Sequence, residues 1–331
     1  MQQFPIGDVS EIAPARRGIS ALAADAGFSA EDAGRAALVA TEIGTNLVKH
    51  ANGGDLIVRQ ISDGTRPGIE LLGLDKGPGM DDLSKCLRDG YSTSGSPGTG
   101  LGAMERLSQR FEIFSREGLG TAVLAQLWPD SRQPSPQRLE IGAWVIPKPG
   151  ETYCGDAWCY TERVEGVLVL ALDGLGHGMA ASQAAHEGCR VFETEKHRPA
   201  IRIMQSMHEA LRPTRGAAAT LVEIDWDAGR ATSVAVGNVQ AALVNGTEVK
   251  RIAADNGIVG HVISRPRELV HECRTDTVLI VHSDGLTANW HLDRYPGLMQ
   301  HHAALIAGVL YRDCKRGRDD SLIVVIRRTA P

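Results

Sequence analysis

Apolar residues recur between Ala33 and His50 at Ala36, Ala40, Ile43 and Leu47, spaced by four, three and four. One stripe at that period predicts a helix with a single buried face, and Asn52-Gly53-Gly54 ends it. Beyond it the pattern shortens. Leu56–Ile61 and Ile69–Leu74 read as a strand pair, with Asp63-Gly64 and Pro67-Gly68 in the turn between them. Gly102 to Gln109 reads as a second helix, and Arg110–Ser115 and Gly120–Leu127 as two further strands. Helices interleaved with antiparallel strands predict an α/β sandwich with one helical layer.

Trp128 to Arg138 breaks the pattern with three prolines, polar residues and no apolar period. It predicts a linker between a domain of residues 1–127 and a second one of residues 139–331. After it, strand signals dominate. Leu139–Ile146, Gly166–Leu172, Ala218–Ile224, Ala231–Val236, Gln240–Val244, Thr277–Val281 and Leu322–Ile326 are short and apolar, most of them rich in β-branched residues. Helical stretches lie around Ala180–Phe192 and Ala200–Leu211. This half reads as a β-sandwich flanked by helices, and the whole chain as α/β (α+β).

Composition narrows the partners. With 331 residues the chain is long enough for two cores. Its formal charge of −5 and 5% aromatic content argue against nucleic acid or an anionic membrane as main partner. No uncharged apolar run approaches the roughly 20 residues that span a bilayer. The charged N-terminal stretch is no signal peptide, so a cytoplasmic location is expected. Six cysteines without a CxxC pair are expected to be free thiols.

Two constellations carry chemistry. In the first half, Glu42, Asn46 and Lys49 share one helix face. An acid beside an amide oxygen suits a Mg²⁺ that carries nucleotide phosphates. Asp75 follows an apolar strand and opens the Gly77-Pro78-Gly79 turn, where a carboxylate accepts from an exocyclic amine. Gly98, Gly100 and Gly102 stand just before a helix and present backbone N–H groups to phosphate.

These residues resemble the GHKL ATPase superfamily over nearly all of residues 5–127. The helix motif is Glu42-Ile-Gly-Thr-Asn46, the adenine motif Asp75-Lys-Gly-Pro-Gly79, the lid motif Gly98-Thr-Gly-Leu-Gly102, and Gly120-Thr121 closes the set. Asp89 to Gly95, ahead of the lid, is most similar to RsbT-type serine kinases, which phosphorylate STAS-domain proteins. The resemblance implies that Asn46 binds Mg²⁺, Glu42 acts as base or positions the acceptor, and Asp75 contacts adenine N6. Lys49, Gly77, Gly79, Gly98, Gly100, Leu101, Gly102 and Thr121 would complete an ATP site.

In the second half, Asp173-Gly174 and Asp284-Gly285 each follow an apolar strand, and Asp319-Asp320 precedes the last one. Carboxylates at several strand ends can converge on one edge of a sandwich, and an all-oxygen ligand set favours Mg²⁺ or Mn²⁺. Two such ions hold a hydroxide for in-line attack on a phosphate ester. Gly155-Asp156, Asp173 to Gly178, Ala218 to Asp225, Gly237-Asn238, Ser283-Asp284-Gly285 and Asp319-Asp320 resemble the SpoIIE/RsbX-like branch of PPM-type phosphatases, over about residues 140–328. That resemblance implies a metal pair bridged by Asp173, with Gly174 lending its carbonyl. Asp284, Asp319 and Asp156 would complete the shell, with Asp320 beside it. His177 either shapes the turn or serves as general acid. Cys154 stands where many relatives have glycine.

The expected protein is a bifunctional switch, a serine kinase joined to a metal-dependent phosphoserine phosphatase, acting on a STAS-domain partner in its phosphorylated and unphosphorylated forms. A sigma factor or other downstream regulator is a further expected partner. The alternative makes the N-terminal domain an ATP-binding sequestration module, leaving only the phosphatase catalytic. A third reading lets nucleotide occupancy gate the phosphatase.

Overall fold

The computed structural model describes residues 1–81, 100–164 and 166–329. They form two compact units, Met1–Arg138 with Gln300–Arg312, and Leu139–Met299 with Asp313–Pro331. The sequence pattern assigned all of 139–331 to the second domain; the segment 300–312 instead groups with the first.

The first unit holds one antiparallel sheet of β1 (Gln2–Ile6), β2 (Gly54–Ser62), β3 (Pro67–Leu74), β4 (Arg110–Arg116) and β5 (Gly120–Leu127). Their order is β1-β2-β3-β5-β4. Alternate residues point one way: Leu56, Val58, Ile69, Leu71, Val123 and Ala125 join a core with residues of three helices. These are α1 (Val9–Asp25), α2 (Ala30–Ala51) and α3 (Gly100–Leu107). The stripe Ala36, Ala40, Ile43 and Leu47 is the buried face of α2. Ser29 caps its start, and Asn52 ends it in the left-handed region at φ 56°.

Helix α1 is absent from the sequence reading. Its buried positions are Ile12, Ala15, Ile19 and Ala23, so half of the stripe is alanine and the periodic signal is faint. The readable mark is its start: Asp8 accepts from Ser10 N at 2.9 Å while Glu11 accepts from Asp8 N at 3.0 Å, a capping box.

The second unit is a sandwich of two five-stranded antiparallel sheets. One contains β7 (Asp156–Glu162), β8 (Gly166–Gly174), β9 (Ala217–Asp225), β10 (Arg230–Val236) and β15 (Leu269–Glu272). The other contains β6 (Leu139–Ile146), β11 (Gln240–Asn245), β12 (Glu248–Ile252), β16 (Val278–His282) and β17 (Ser321–Arg328). The short pair β13 (Gly257–Ile258) and β14 (Val262–Ile263) stands apart. Strand β8 shows why its sequence is continuously apolar. Val167, Val169 and Ala171 face the inter-sheet core, whereas Leu168, Leu170 and Leu172 pack under α4 (Met179–Glu195) and α5 (Ala200–Ala210). Both faces are buried.

Helix α6 (Ala303–Cys314) lies mostly in the segment counted with the first unit. Ala303 to Ala307, Val309 and Leu310 are all fully buried, so it lacks the polar face that reveals a helix by period. A Cβ on Gly308 would come within 2.5 Å of Leu72 Cδ2. Just ahead of α6, His302 N donates to Glu112 Oε2 at 2.8 Å, and His301 Nδ1 lies 3.2 Å from the same oxygen. Burial opposes ionisation of Glu112, but the His301 and His302 hydrogen bonds prevail and hold its pKa at about 2.

Phe192, fully buried on α4 in the core it shares with Leu168, Leu170 and Leu172, has no polar role. Phe192→Ala is expected to destabilise the full-length protein by about 3–5 kcal/mol, read as a lower melting temperature and urea midpoint. A shift under about 1 kcal/mol would contradict this packing.

Candidate active sites

In the first unit, Asp75 follows β3, and its Oδ1 accepts from Gly77 N at 2.8 Å and Thr121 N at 3.0 Å. The backbone closes the same corner, with Asp75 N donating to Thr121 O at 2.9 Å. Arg312, itself buried, donates to Asp75 O at 2.9 Å. Desolvation raises the Asp75 pKa against these donors. The glycines are steric necessities. Gly79 and Gly120 both have φ 74°, and a Cβ on Gly120 would overlap the Asp75 carbonyl oxygen. A Cβ on Gly77 would come within 2.7 Å of Ala51 Cα.

Glu42 and Asn46 are half-buried on α2, and Lys49 is exposed in its last turn. A Cβ on Gly100 would lie 2.7 Å from Glu42 Oε2, so the start of α3 passes directly over the acid. The structure thus brings Glu42 to Gly100, and Asp75 to Gly77 and Thr121. Leu101 packs its side chain against the core, and Gly102 is buried, which leaves both residues their backbone for contact with a ligand. Gly98 and Asp89 to Gly95 lie outside the described residues.

In the second unit, Asp156 opens β7 directly across from Asp173 near the end of β8. Asp284 follows β16 by two residues, and Asp319 and Asp320 directly precede β17. Short bonds fix this frame. Asp320 Oδ1 accepts from Lys148 N at 2.7 Å and Oδ2 from Gly155 N at 2.9 Å. Ser283 Oγ donates to Asp156 Oδ2 at 2.7 Å and accepts from Leu322 N at 2.9 Å. Asn238 Nδ2 donates to Asp284 Oδ2 at 2.8 Å. A Cβ on Gly174 would overlap the Ala181 carbonyl oxygen, and one on Gly285 the Asp320 carbonyl oxygen.

The electrostatics is repulsive. Burial, then the charges of Asp284, Asp319 and Asp320, push Asp173 up to about 7. Burial and the Asp173 charge raise buried Asp156 well above the ordinary carboxylate range. Among the described residues no three His, Cys, Asp or Glu side chains are drawn together tightly enough to hold an ion as they stand. The donor set nevertheless fits hard divalent cations: it is all oxygen, and positive charge is what relieves the mutual repulsion. Cys154 is a poor competitor, because burial and then the charges of Asp156 and Asp320 raise its thiol pKa.

Several partners were invisible as such in the sequence. Ser283 and Asn238 stand in recognisable motifs, but nothing local says that they hold Asp156 and Asp284. His177 Nδ1 lies 2.7 Å from Glu151, and Arg312 reaches Asp75 across 237 positions. Neither pairing has a sequence signal.

Residues 7–127 match the histidine kinase-like ATPase domain, and residues 164–329 match stage II sporulation protein E (SpoIIE). Serine/threonine-protein kinase RsbT of Bacillus subtilis (strain 168) is 34% identical over 107 residues, 32% of this chain and 80% of RsbT. The chain belongs to both families. Its first half is an RsbT-like kinase domain, and its second a PPM-type serine/threonine phosphatase domain. Phosphoserine phosphatase RsbX of the same organism is 22% identical over 153 residues, 45% of this chain and 76% of RsbX. RsbX solved with magnesium shares the fold at TM-score 0.51 and 19% identity, covering 59% of this chain and 98% of that one. A chain solved in work on the bacterial stressosome matches at TM-score 0.54 and 26% identity, covering 58% and 100%. No described helix is long and apolar enough to cross a membrane.

Asp173 provides a pH test. Its raised pKa means that the stability it contributes is complete below its ordinary value of 3.8 and lost as pH rises through about 7. In EDTA, Asp173→Asn should therefore gain melting temperature over wild type progressively between pH 5 and 7.5. Manganese at pH 7.5 should close that gap by stabilising wild type. A difference that stays flat with pH would contradict the charge crowding.

Proposed function

We propose that this protein sets the phosphorylation level of one serine on a STAS-domain partner, adding phosphate with the first unit and removing it with the second. The observation that supports this reading most is the union in one chain of a relative of a serine/threonine-protein kinase and a relative of a phosphoserine phosphatase. Tethering gives both domains a high effective concentration at a shared partner. A cytoplasmic location fits such a partner, and a sigma factor or other downstream regulator would read the outcome.

In the kinase unit the proposed ligand is ATP with Mg²⁺. Asp75 would take adenine, with Gly77, Gly79 and Thr121 shaping the base pocket. Asn46 would hold the ion, while Lys49, Gly98, Gly100, Leu101 and Gly102 would surround the phosphates. Glu42 would orient the acceptor serine and take its proton, in a reaction driven mainly by positioning.

In the phosphatase unit Asp173, Gly174, Asp284, Asp319 and Asp156 would hold two Mn²⁺ or Mg²⁺ ions, which when bound supply an activated water. Asp320, committed to two backbone N–H groups, holds the loops of Lys148 and Gly155 in place. Ser283 keeps the Asp156 carboxylate aimed.

Intact mass of a STAS-domain partner, followed with Mg·ATP and then with Mn²⁺, tests both halves. Asp284→Ala should slow phosphate release by about 10²-fold or more, since losing even a group that merely supports a metal ligand costs up to about that much, and let the phosphorylated partner accumulate. Asn46→Ala should abolish ATP-dependent transfer. Release that is unchanged in Asp284→Ala would refute the metal assignment, and stoichiometric binding without transfer would make the first unit a sequestration module.

A further inference from the structure

Asp173 also lines a cleft of about 390 Å³, together with Leu175, Ala218, Asn238, Asn256 and Ile258. Ala218 is the β9 register partner of Asp173, and Asn238 is the residue that holds Asp284. The wall formed by residues 256–258 is clamped at both ends. Asp255 exchanges backbone hydrogen bonds of 2.9 Å with Ala235 and Gly237, and its carboxylate accepts from Arg267 Nε at 2.9 Å. Val259 N donates to Ala217 O at 2.8 Å. The cleft is therefore a rigid extension of the metal-binding edge.

Its chemistry is selective. Asp173 is the one charged side chain among the described residues that line it, and neither lysine nor arginine is present. Leu175 is 50% exposed on its rim, an apolar side chain left open to solvent beside a carboxylate cluster. Asn256 is exposed, and its amide takes part in no hydrogen bond among the described residues.

We propose that this cleft is the subsite for the residue next to the phosphoserine of the protein substrate, and that it selects an aliphatic neighbour over an acidic one. The inference rests on the phosphatase reading above. Adjacent Cα atoms are about 3.8 Å apart, so a phosphoserine whose phosphate is drawn to the cations that Asp173 would hold carries its neighbour into the adjoining cleft. An aliphatic side chain buries against Leu175 and Ile258, while Asn256 pairs with the substrate backbone. An acidic side chain finds neither lysine nor arginine in the lining to pair with, and loses water there without a hydrogen-bonded cationic side chain to replace it.

The test uses phosphopeptides identical except for Leu or Asp immediately before or after the phosphoserine, with full-length protein and Mn²⁺. Wild type should favour Leu over Asp by about tenfold or more in kcat/KM on at least one side. Leu175→Lys should push that ratio below one. Because the ratio compares two substrates in one sample, any misfolded fraction cancels. Asn256→Ala should raise KM for all four peptides alike. Equal wild-type kcat/KM for all four peptides, or a ratio unmoved by Leu175→Lys, overturns the subsite. Hydrolysis of p-nitrophenyl phosphate by wild type reports separately on the metal centre, and its absence would count against the phosphatase reading. Fluorescence anisotropy of the same peptides then decides the subsite by binding: a tenfold Leu preference supports it, and no preference overturns it.

Discussion

Like-charged carboxylates resist being gathered, and the second unit is arranged around overcoming that resistance. Burial and the charges of Asp284, Asp319 and Asp320 raise the proton affinity of Asp173, and burial and the charges of Asp173, Asp320 and Asp284 raise that of Asp156. The carboxylates stay together because each sits at or just beyond a strand end whose position is set by the cross-strand hydrogen bonds of its sheet. Ser283 and Asp320 add the cross-links, the first between β17 and Asp156, the second between the Lys148 and Gly155 backbones. Rigid anchoring of this kind keeps a charged cluster from splaying, and it leaves a divalent cation as the natural complement.

The kinase unit solves a smaller version of the same problem. One carboxylate, Asp75, is partly withdrawn from water and kept in place by two backbone N–H donors. In both units the acid sits beside glycines, because the chain must pass where a Cβ would overlap a carbonyl oxygen: Gly120 against Asp75, Gly174 against Ala181, Gly285 against Asp320. Strand-end acid and close-passing glycine thus recur in both units. The difference lies in what surrounds the acid, a helix start above Glu42 in one case and four further carboxylates in the other.

Much of this was legible before the fold. Strand β8 announced itself by a continuous apolar run, and α2 by its stripe and its Asn52 stop. The motifs of both sites stand in the chain as contiguous short words. What stayed hidden had a physical reason in each case. Helix α1 buries alanine at half of its inward positions, so its stripe has little amplitude. Helix α6 is buried almost all round, so it has no polar face to mark the period, and the grouping of its segment with the first unit depends on contacts that no linear pattern encodes.

The sequence by itself determined the local matters: where strands and helices form, where the chain turns, and which short runs carry acids and glycines suited to phosphate chemistry. These depend on neighbours a few residues apart, and periodicity and turn chemistry report them directly. Only the tertiary structure decided that Ser283 holds Asp156, that Asn238 holds Asp284, that Arg312 reaches the Asp75 backbone, and that Asn256 and Leu175 share a cleft with Asp173. Those pairings join residues far apart in the chain, held together by how the strands that flank their loops pair and, for Arg312, by where α6 packs.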